Sequence, residues 1–158
     1  MVQYRVTGIP EPLAQAVRTS LASPQYGHPA HVELATGYGP CRLCLDTFRE
    51  GEEDRILFTY QPFTDPDALP APGPVFIHRA ECERYDHLAF PEALRPLPLA
   101  VDGYAAGGHL VQQARAGAEP IEDVLDRVFG AGPVAYAHVR NAEAGCFIAR
   151  VERGFACD

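Results

Sequence analysis

The chain has 158 residues and a formal net charge of −8 at neutral pH. This acidic balance argues against nucleic acid as a partner, because neutralising phosphates requires a basic surface. No apolar run reaches the length of a membrane span, and residues 1–5 lack the basic start of a secretory signal. We therefore expect a cytoplasmic protein with no membrane partner.

The first third of the chain predicts a strand, a helix and a long connection. Apolar and polar residues alternate over residues 4–7, which indicates a strand. Proline near the first helical position and apolar residues at four-residue spacing predict a helix over residues 10–21. Glycine and proline are frequent over residues 26–40, which are interpreted as a loop with a short strand at residues 32–34.

Two pairs of metal-ligand residues follow. Cys41 and Cys44 form a CxxC pair, and His78 and Cys82 form a second pair four residues apart. Three cysteines and one histidine are a common donor set of closed, tetrahedral structural zinc sites, with short spacers inside each pair. We therefore predict a structural zinc ion bound by these four residues, which are called the Cys/His cluster below.

The residues between the pairs must fold back to bring the pairs together. Alternation at residues 55–60 predicts a strand, and residues 75–77 predict another that runs into His78. A helix beginning at His78 would place His78 and Cys82 on one face. The order of knuckle, strand, loop, strand and helix resembles a treble-clef or zinc-ribbon module, and we assign it to residues 37–90.

Alternatives to zinc remain open for the Cys/His cluster. The Gly-Pro before the CxxC pair resembles a thioredoxin-like redox motif, although residues 45–53 lack the apolar stripe of the helix that such a motif requires. The cysteines can also be buried thiols without metal. Arg42 and Arg79 each neighbour a ligand and are candidates to offset the negative charge of the site, with plain surface exposure as the alternative. Five cysteines without an export signal argue against a disulfide framework.

The last third of the chain predicts a hairpin, a helix and a second hairpin. Residues 97–104 and 109–114 are the strands of the first hairpin. A helix follows Pro120, because apolar residues recur there at helical spacing until Gly130. The second hairpin pairs residues 134–140 with residues 146–151.

The second hairpin has one apolar and one polar face if Arg140 lies opposite Cys146. The polar face then carries six side chains: Tyr136, His138, Arg140, Cys146, Ile148 and Arg150. The two arginines can hold a carboxylate or phosphate, His138 can move a proton and Cys146 can act as a nucleophile. A solvent-exposed outer face is the alternative interpretation. Asp102, Tyr104 and His109 of the first hairpin can extend this group.

Several short blocks resemble the bacterial domain of unknown function family 1203. They are residues 40–45, 60–63, 73–78 with Cys82, 137–141 and 145–146. The resemblance covers nearly the whole chain and implies a small cytoplasmic bacterial domain. It implies no activity, so no catalytic residue is carried over from it.

These patterns predict an α+β fold. We expect one domain over residues 1–158, with a small antiparallel sheet, two main helices and a lobe held together by zinc. The predicted function is a binding or accessory module that takes an anionic ligand or a protein partner near His138, Arg140 and Arg150. The alternative is a hydrolase or thiol-dependent oxidoreductase that uses His138 and Cys146, or the CxxC pair.

Overall fold

The computed structural model describes residues 3–37, 39–63 and 72–154. In chain order the elements are β1 (Gln3–Thr7), α1 (Glu11–Ser20), β2 (His31–Leu34), β3 (Asp54–Tyr60), β4 (Gly73–His78), β5 (Asp86–His87), a 3-10 helix (Glu92–Leu94), β6 (Leu99–Tyr104), β7 (Leu110–Arg115), α2 (Ile121–Phe129), β8 (Tyr136–Asn141) and β9 (Phe147–Gly154). Helices combined with antiparallel sheets confirm the α+β class. Among the described residues, no helix is both long and apolar enough to cross a lipid bilayer.

The chain separates into two compact units. The first unit combines β1 with the chain from Asp86 onward, and the second unit spans Gly8–Tyr85. Most of the lobe predicted at residues 37–90 falls in the second unit, which also includes α1 and β2. The single domain over residues 1–158 stays a prediction.

The first unit is built on a sheet with the strand order β5-β1-β9-β8-β6-β7, in which all neighbouring strands are antiparallel. One face of this sheet carries small, apolar, buried side chains: Val101, Ala137, Val139, Ala149 and Val151. Helix α2 packs on this face at Gly103, where an added Cβ would lie 2.6 Å from Val128 Cγ1. The helix buries the apolar residues that its sequence spacing predicts, so the strands and the helix share one core.

The β8–β9 pairing differs from the predicted register. Arg140 pairs with Phe147 instead of Cys146, and the next pair is Val139 with Ala149, which leaves Ile148 as an extra residue of β9 at an irregularity in the ladder. Strict alternation had placed Phe147 on the apolar face. The bulge moves it to the polar face, where its ring centroid lies 5.0 Å from that of His138.

The second unit contains a sheet with the order β2-β3-β4 and the helix α1. Strand β4 runs into His78, as predicted. The prediction of a helix beginning at His78 is wrong, because residues 79–85 contain no helix. The backbone amides of this segment bind carbonyls elsewhere in the unit: Arg79 N donates to Asp54 O at 3.2 Å, and Tyr85 N donates to Leu43 O at 2.9 Å. The helix that a treble clef requires is therefore missing.

Candidate functional site

A tight turn presents the first ligand pair. The backbone amide of Leu45 donates to the carbonyl of Cys41 at 2.9 Å, and Leu45 has a φ of 60°, which leucine rarely adopts. Gly39 precedes the turn with a φ of 101°, and an added Cβ there would lie 2.5 Å from the Phe48 ring. Glycine is therefore required at this position for both its backbone conformation and its size.

Strand β4 brings the second pair to this turn. The backbone amide of Arg42 donates to the carbonyl of Phe76 at 2.9 Å, which ties the turn to the strand. Two residues later, the backbone amide of His78 donates to Cys41 Sγ at 3.3 Å. Cys82 follows in a segment after β4 that is not helical, so the end of a strand and a connection, and not one face of a helix, carry the His78 and Cys82 side chains.

The donor atoms of the Cys/His cluster converge. All four lie within 4.8 Å of one another, with Cys41 Sγ 3.9 Å from Cys82 Sγ and Cys44 Sγ 3.5 Å from His78 Nδ1. A tetrahedral zinc site with Zn–S distances of about 2.3 Å and a Zn–N distance of about 2.0 Å has edges of about 3.8 Å between sulfurs and about 3.5 Å between sulfur and nitrogen. Both edges are close to these values, and the four donor atoms lie close enough together to hold a metal ion. The 3.9 Å sulfur separation is far longer than a disulfide bond of about 2.05 Å.

Burial and hydrogen bonding give the thiols of the cluster different properties. The Cys41 side chain is fully buried, whereas Cys44 and Cys82 are half-buried. Burial acts to raise the pKa of Cys41, but hydrogen bonds from Cys44, Cys82 and backbone amides outweigh it and lower that pKa well below its ordinary value. Hydrogen bonds to Cys41 and Cys82 raise the pKa of Cys44. The fold therefore favours the charged form of Cys41 and the neutral form of Cys44.

A carboxylate orients the imidazole of the cluster. His78 Nδ1 faces the cysteines, and His78 Nε2 lies 3.3 Å from Glu53 Oε2. Glu53 is itself held by Arg49, whose backbone amide donates to the same oxygen at 2.8 Å. A carboxylate on the outer nitrogen is the usual partner of a metal-binding histidine, because it sets the tautomer and the ring orientation.

One arginine contacts the cluster from α1. Arg18 lies in the last turn of that helix, and its Nη2 donates to Cys82 Sγ at 3.3 Å while its Nε donates to the His78 carbonyl at 3.1 Å. The arginines singled out from the sequence are engaged differently, since Arg79 pairs with Asp54 at 3.2 Å and Arg42 Nη1 donates to the Pro40 carbonyl at 2.6 Å. The sequence carried no signal for Arg18, which is 64 residues from Cys82.

A surface groove of about 460 Å³ opens beside the cluster. Cys44, His78 and Cys82 line this groove, whereas Cys41 is not among its lining residues. Most of the charged residues that line it are acidic, namely Asp46, Glu53, Glu81 and Glu83, and the only arginine among the described lining residues is Arg49. The cluster is therefore closed on the Cys41 side and reachable by solvent on the other.

The polar face of the first unit places His138 in an aromatic environment. Its side chain is 4% exposed, and its ring centroid lies 5.0 Å from that of Tyr104, 5.5 Å from that of Tyr136 and 5.0 Å from that of Phe147. Burial, aided by the charge of Arg150, lowers the pKa of His138 to about 3. The imidazole is therefore neutral at neutral pH.

The two arginines of this face each have an acidic neighbour. Arg140 Nε lies 2.7 Å from Asp102 Oδ2, and Arg150 Nε lies 2.7 Å from Glu152 Oε1. Arg150 also stacks over the Tyr136 ring, at 4.1 Å from its centroid. The structure therefore brings Tyr136, His138 and Arg150 together, while Arg140 lies beside a separate groove whose lining residues do not include Arg150.

The remaining predicted site residues are more dispersed. Cys146 is half-buried in the β8–β9 turn, where its carbonyl accepts a hydrogen bond from Asn141 at 2.9 Å. His109 is exposed at the start of β7. The fifth cysteine, Cys157, lies outside the described residues.

Comparison with known proteins gives one match. A family model described as a protein of unknown function (DUF1203) covers residues 38–153, a range that includes the Cys/His cluster and the polar sheet face. No curated protein and no solved structure matches the chain.

Proposed function

The chain belongs to the DUF1203 family of proteins of unknown function, and, because that description carries no activity, we propose a function from the residues themselves. The protein is a non-catalytic binding or accessory module whose Cys/His lobe is held together by one structural zinc ion. Cys41, Cys44, His78 and Cys82 are the ligands. Its ligand or partner binds elsewhere, on the polar sheet face of the first unit.

The observation that carries this proposal is the agreement of two independent edges with a tetrahedron. The Cys41–Cys82 and Cys44–His78 edges share no atom, yet both match the spacing expected around zinc. Thiolate sulfur favours zinc over magnesium or calcium, which prefer oxygen donors. Four protein donors complete a tetrahedron and leave no open position for substrate, which is typical of structural sites.

Charge supports the same proposal. Three thiolates and one divalent ion carry a net charge of about −1. Arg18 supplies a positive charge directly at Cys82 Sγ, and Glu53 is balanced by Arg49, with 3.3 Å between Glu53 Oε1 and Arg49 Nη2. The occupied site is therefore close to neutral, as a partly buried site requires.

The lobe resembles a zinc ribbon more than a treble clef. One ligand pair comes from a turn and the other from the end of the β3–β4 hairpin, without a helix between the ligands of the second pair. Thiolate ligands require a reducing compartment, so the proposal places the protein in the cytoplasm.

An enzymatic role has less support. A hydrolytic base must reach its substrate and hold a proton near neutral pH, but the His138 side chain is 4% exposed and its pKa is lowered to about 3. A redox role for the CxxC pair requires an accessible nucleophilic thiol, but Cys41, whose pKa is lowered, is fully buried.

Metal analysis of two variants tests the proposal. The wild-type protein, purified under reducing conditions, is expected to hold about one equivalent of zinc. Cys44→Ser is expected to lose the metal and to unfold at lower denaturant concentration, because binding free energy contributes directly to folding. Cys146→Ser is the matched control, since that cysteine lies in the β8–β9 turn. This variant should retain the zinc content and the stability of the wild type. A metal-free wild-type protein, or a stable Cys44→Ser variant with full zinc content, contradicts the proposal.

A further inference from the structure

We infer that the first unit has an anion-binding site between Arg115 and Arg140, which takes a tetrahedral oxyanion such as phosphate or the phosphoryl group of a larger ligand. The inference rests in part on the proposed binding role, because it names the ligand class. It uses none of the zinc ligands, so the two proposals can fail separately.

Strand pairing places the two arginines on either side of a small residue. Ala100 of β6 pairs with Arg115 of β7 on one side and with Arg140 of β8 on the other. Directly paired residues point to the same face of a sheet, and neighbouring strands are about 4.8 Å apart. The two arginine Cα atoms are therefore separated by about 10 Å, with only the Ala100 methyl group between the side chains. A groove of about 180 Å³ lies at this position, lined by both arginines.

A buried carboxylate orients Arg140. Asp102 is 3% exposed, and its two oxygens are both used: Oδ2 accepts from Arg140 Nε at 2.7 Å, and Oδ1 accepts from Gln113 Nε2 at 3.2 Å. Binding through Nε leaves Nη1 and Nη2 of Arg140 without a hydrogen-bond partner among the described residues. A guanidinium held in this way presents two parallel donors, which is the geometry that binds phosphate bidentately.

Arg115 supplies a second cation without an acidic partner. Arg115 is exposed at the end of β7. Within the described part of the chain, its guanidinium makes neither an ion pair nor a side-chain hydrogen bond. Two guanidiniums and one carboxylate give the groove a net charge of about +1. This local positive charge is opposite in sign to the net charge of −8 on the chain. A bound anion would neutralise the positive charge that the groove's single carboxylate leaves uncompensated.

Arg150 provides the contrast on the same sheet face. Its Nε binds Glu152 at 2.7 Å, and its guanidinium stacks over the Tyr136 ring. Its planar surface is covered by that ring, and Arg150 is not among the residues that line the groove. The pair expected from the sequence, Arg140 with Arg150, is therefore replaced in this inference by Arg140 with Arg115.

The size of the groove selects a small ion. Pockets for drug-sized ligands have volumes of about 300–1,000 Å³, whereas this groove has about 180 Å³. Donors that approach from two opposite sides suit the oxygens of a tetrahedral ion better than the single edge of a planar carboxylate. The groove is open to solvent, so it can hold either free phosphate or a phosphoryl group attached to a larger molecule.

Calorimetric titration of the purified 158-residue chain, with whatever metal it retains, tests the site. Inorganic phosphate, O-phosphoserine and acetate are titrated separately at low ionic strength. We expect saturable phosphate binding that weakens about tenfold or more in Arg115→Gln and in Arg140→Gln, as for the loss of a charge-assisted bidentate contact. The matched control, Arg127→Gln, should stay within about twofold of the wild type, because Arg127 pairs with Glu119 and does not line the groove.

Arg115→Gln keeps the test decisive if Arg140→Gln is unstable, because Arg115 is exposed and its change leaves the Asp102 contacts intact. Equal binding of O-phosphoserine assigns the site to phosphorylated ligands, and binding of inorganic phosphate alone assigns it to the free ion; both results support the inference. Absence of phosphate binding to the wild type overturns it. Equal weakening in all three arginine variants, or acetate binding as tight as phosphate binding, overturns it as well.

Discussion

The Arg18 guanidinium donates a hydrogen bond to Cys82 Sγ at 3.3 Å. Arg18 reaches this position because α1 buries Ala14 and Val17, which turns the neighbouring residue towards the segment that follows β4. The contact places a permanent positive charge beside Cys82, a ligand of the proposed zinc site. It links the helix of the second unit to the metal, although the helix supplies no ligand.

Replacement of Arg18 should weaken zinc binding. In Arg18→Gln the cationic hydrogen bond to Cys82 is lost and the net negative charge of the zinc site is no longer offset, so we expect about 10–100-fold lower zinc affinity, the range found for such outer contacts. Competition with a chromophoric chelator measures the change. Arg79→Gln is the control, because Arg79 is adjacent to His78 in sequence but pairs with Asp54. Equal affinities for Arg18→Gln and the wild type would contradict the role assigned to Arg18.

Replacement of Glu53 should also weaken zinc binding, by a different route. Glu53→Gln removes the carboxylate that accepts from His78 Nε2 at 3.3 Å, so the imidazole loses its fixed tautomer and some of its basicity. We expect the affinity to fall about tenfold in the same competition assay. The neighbouring acid provides the control, since Glu52 is exposed and lies 3.8 Å from Arg49. The role of Glu53 is wrong if Glu52→Gln and Glu53→Gln lower the affinity equally.

His138 should make the stability of the protein depend on pH. Its pKa is about 3 in the folded state and about 6.5 in an unfolded chain. Between these values the unfolded state binds one more proton, so the free energy of unfolding decreases as the pH falls below about 6.5, by ~1.4 kcal/mol per pH unit for this residue. The contribution is fully present above about pH 6.5 and is lost towards pH 3.

The measurement for His138 is the slope of unfolding free energy against pH, from urea titrations between about pH 5 and pH 7. The slope should be shallower in His138→Phe than in the wild type, because unfolding of the variant takes up fewer protons, by up to about one. Tyr136→Phe alters the same aromatic cluster without removing the imidazole, so it should keep the wild-type slope. Identical slopes in the wild type and His138→Phe would show that His138 is not buried in its neutral form.

Gly103 should tolerate no side chain. A Cβ there would lie 2.6 Å from Val128 Cγ1 and 3.1 Å from both methyl carbons of Val134, so Gly103→Ala must displace α2 or the chain that follows it. We expect a loss of about 1–3 kcal/mol in unfolding free energy, as for other overpacked cores. Gly117→Ala is the control, because an added Cβ there has no neighbour within 4 Å. Unchanged stability of Gly103→Ala, measured by urea unfolding, would contradict the packing of α2 on this face.

The sequence was sufficient for elements with a strong local pattern. Alternation predicted β3, the apolar run at residues 75–77 predicted β4, and helical spacing predicted α2 from Ile121 to its end at Gly130. The Cys/His cluster was predictable for a related reason, since its four residues are chemically distinctive and lie in two short pairs. These features depend on neighbours in the chain, which a single sequence displays directly.

Features that depend on distant neighbours were not predictable. The extra residue at Ile148, which reverses the face of Phe147, has no local signal because a bulge depends on the partner strand. The segment after His78 is not helical, and its amides at Arg79 and Tyr85 bind carbonyls of Asp54 and Leu43, which are distant in sequence. Nothing in the local sequence distinguishes Arg18 and Arg115 from other arginines. Only the fold brings Arg18 to Cys82 and Arg115 to the groove beside Arg140.

X-ray absorption spectroscopy at the zinc edge of the purified protein tests the central claim most directly. We predict a first coordination shell of three sulfur atoms at about 2.3 Å and one nitrogen atom at about 2.0 Å, contributed by Cys41, Cys44, Cys82 and His78. In Cys44→Ser, any zinc that remains should lose one of the three sulfur scatterers. A wild-type protein that holds no zinc, or zinc surrounded only by oxygen and nitrogen, would contradict the claim.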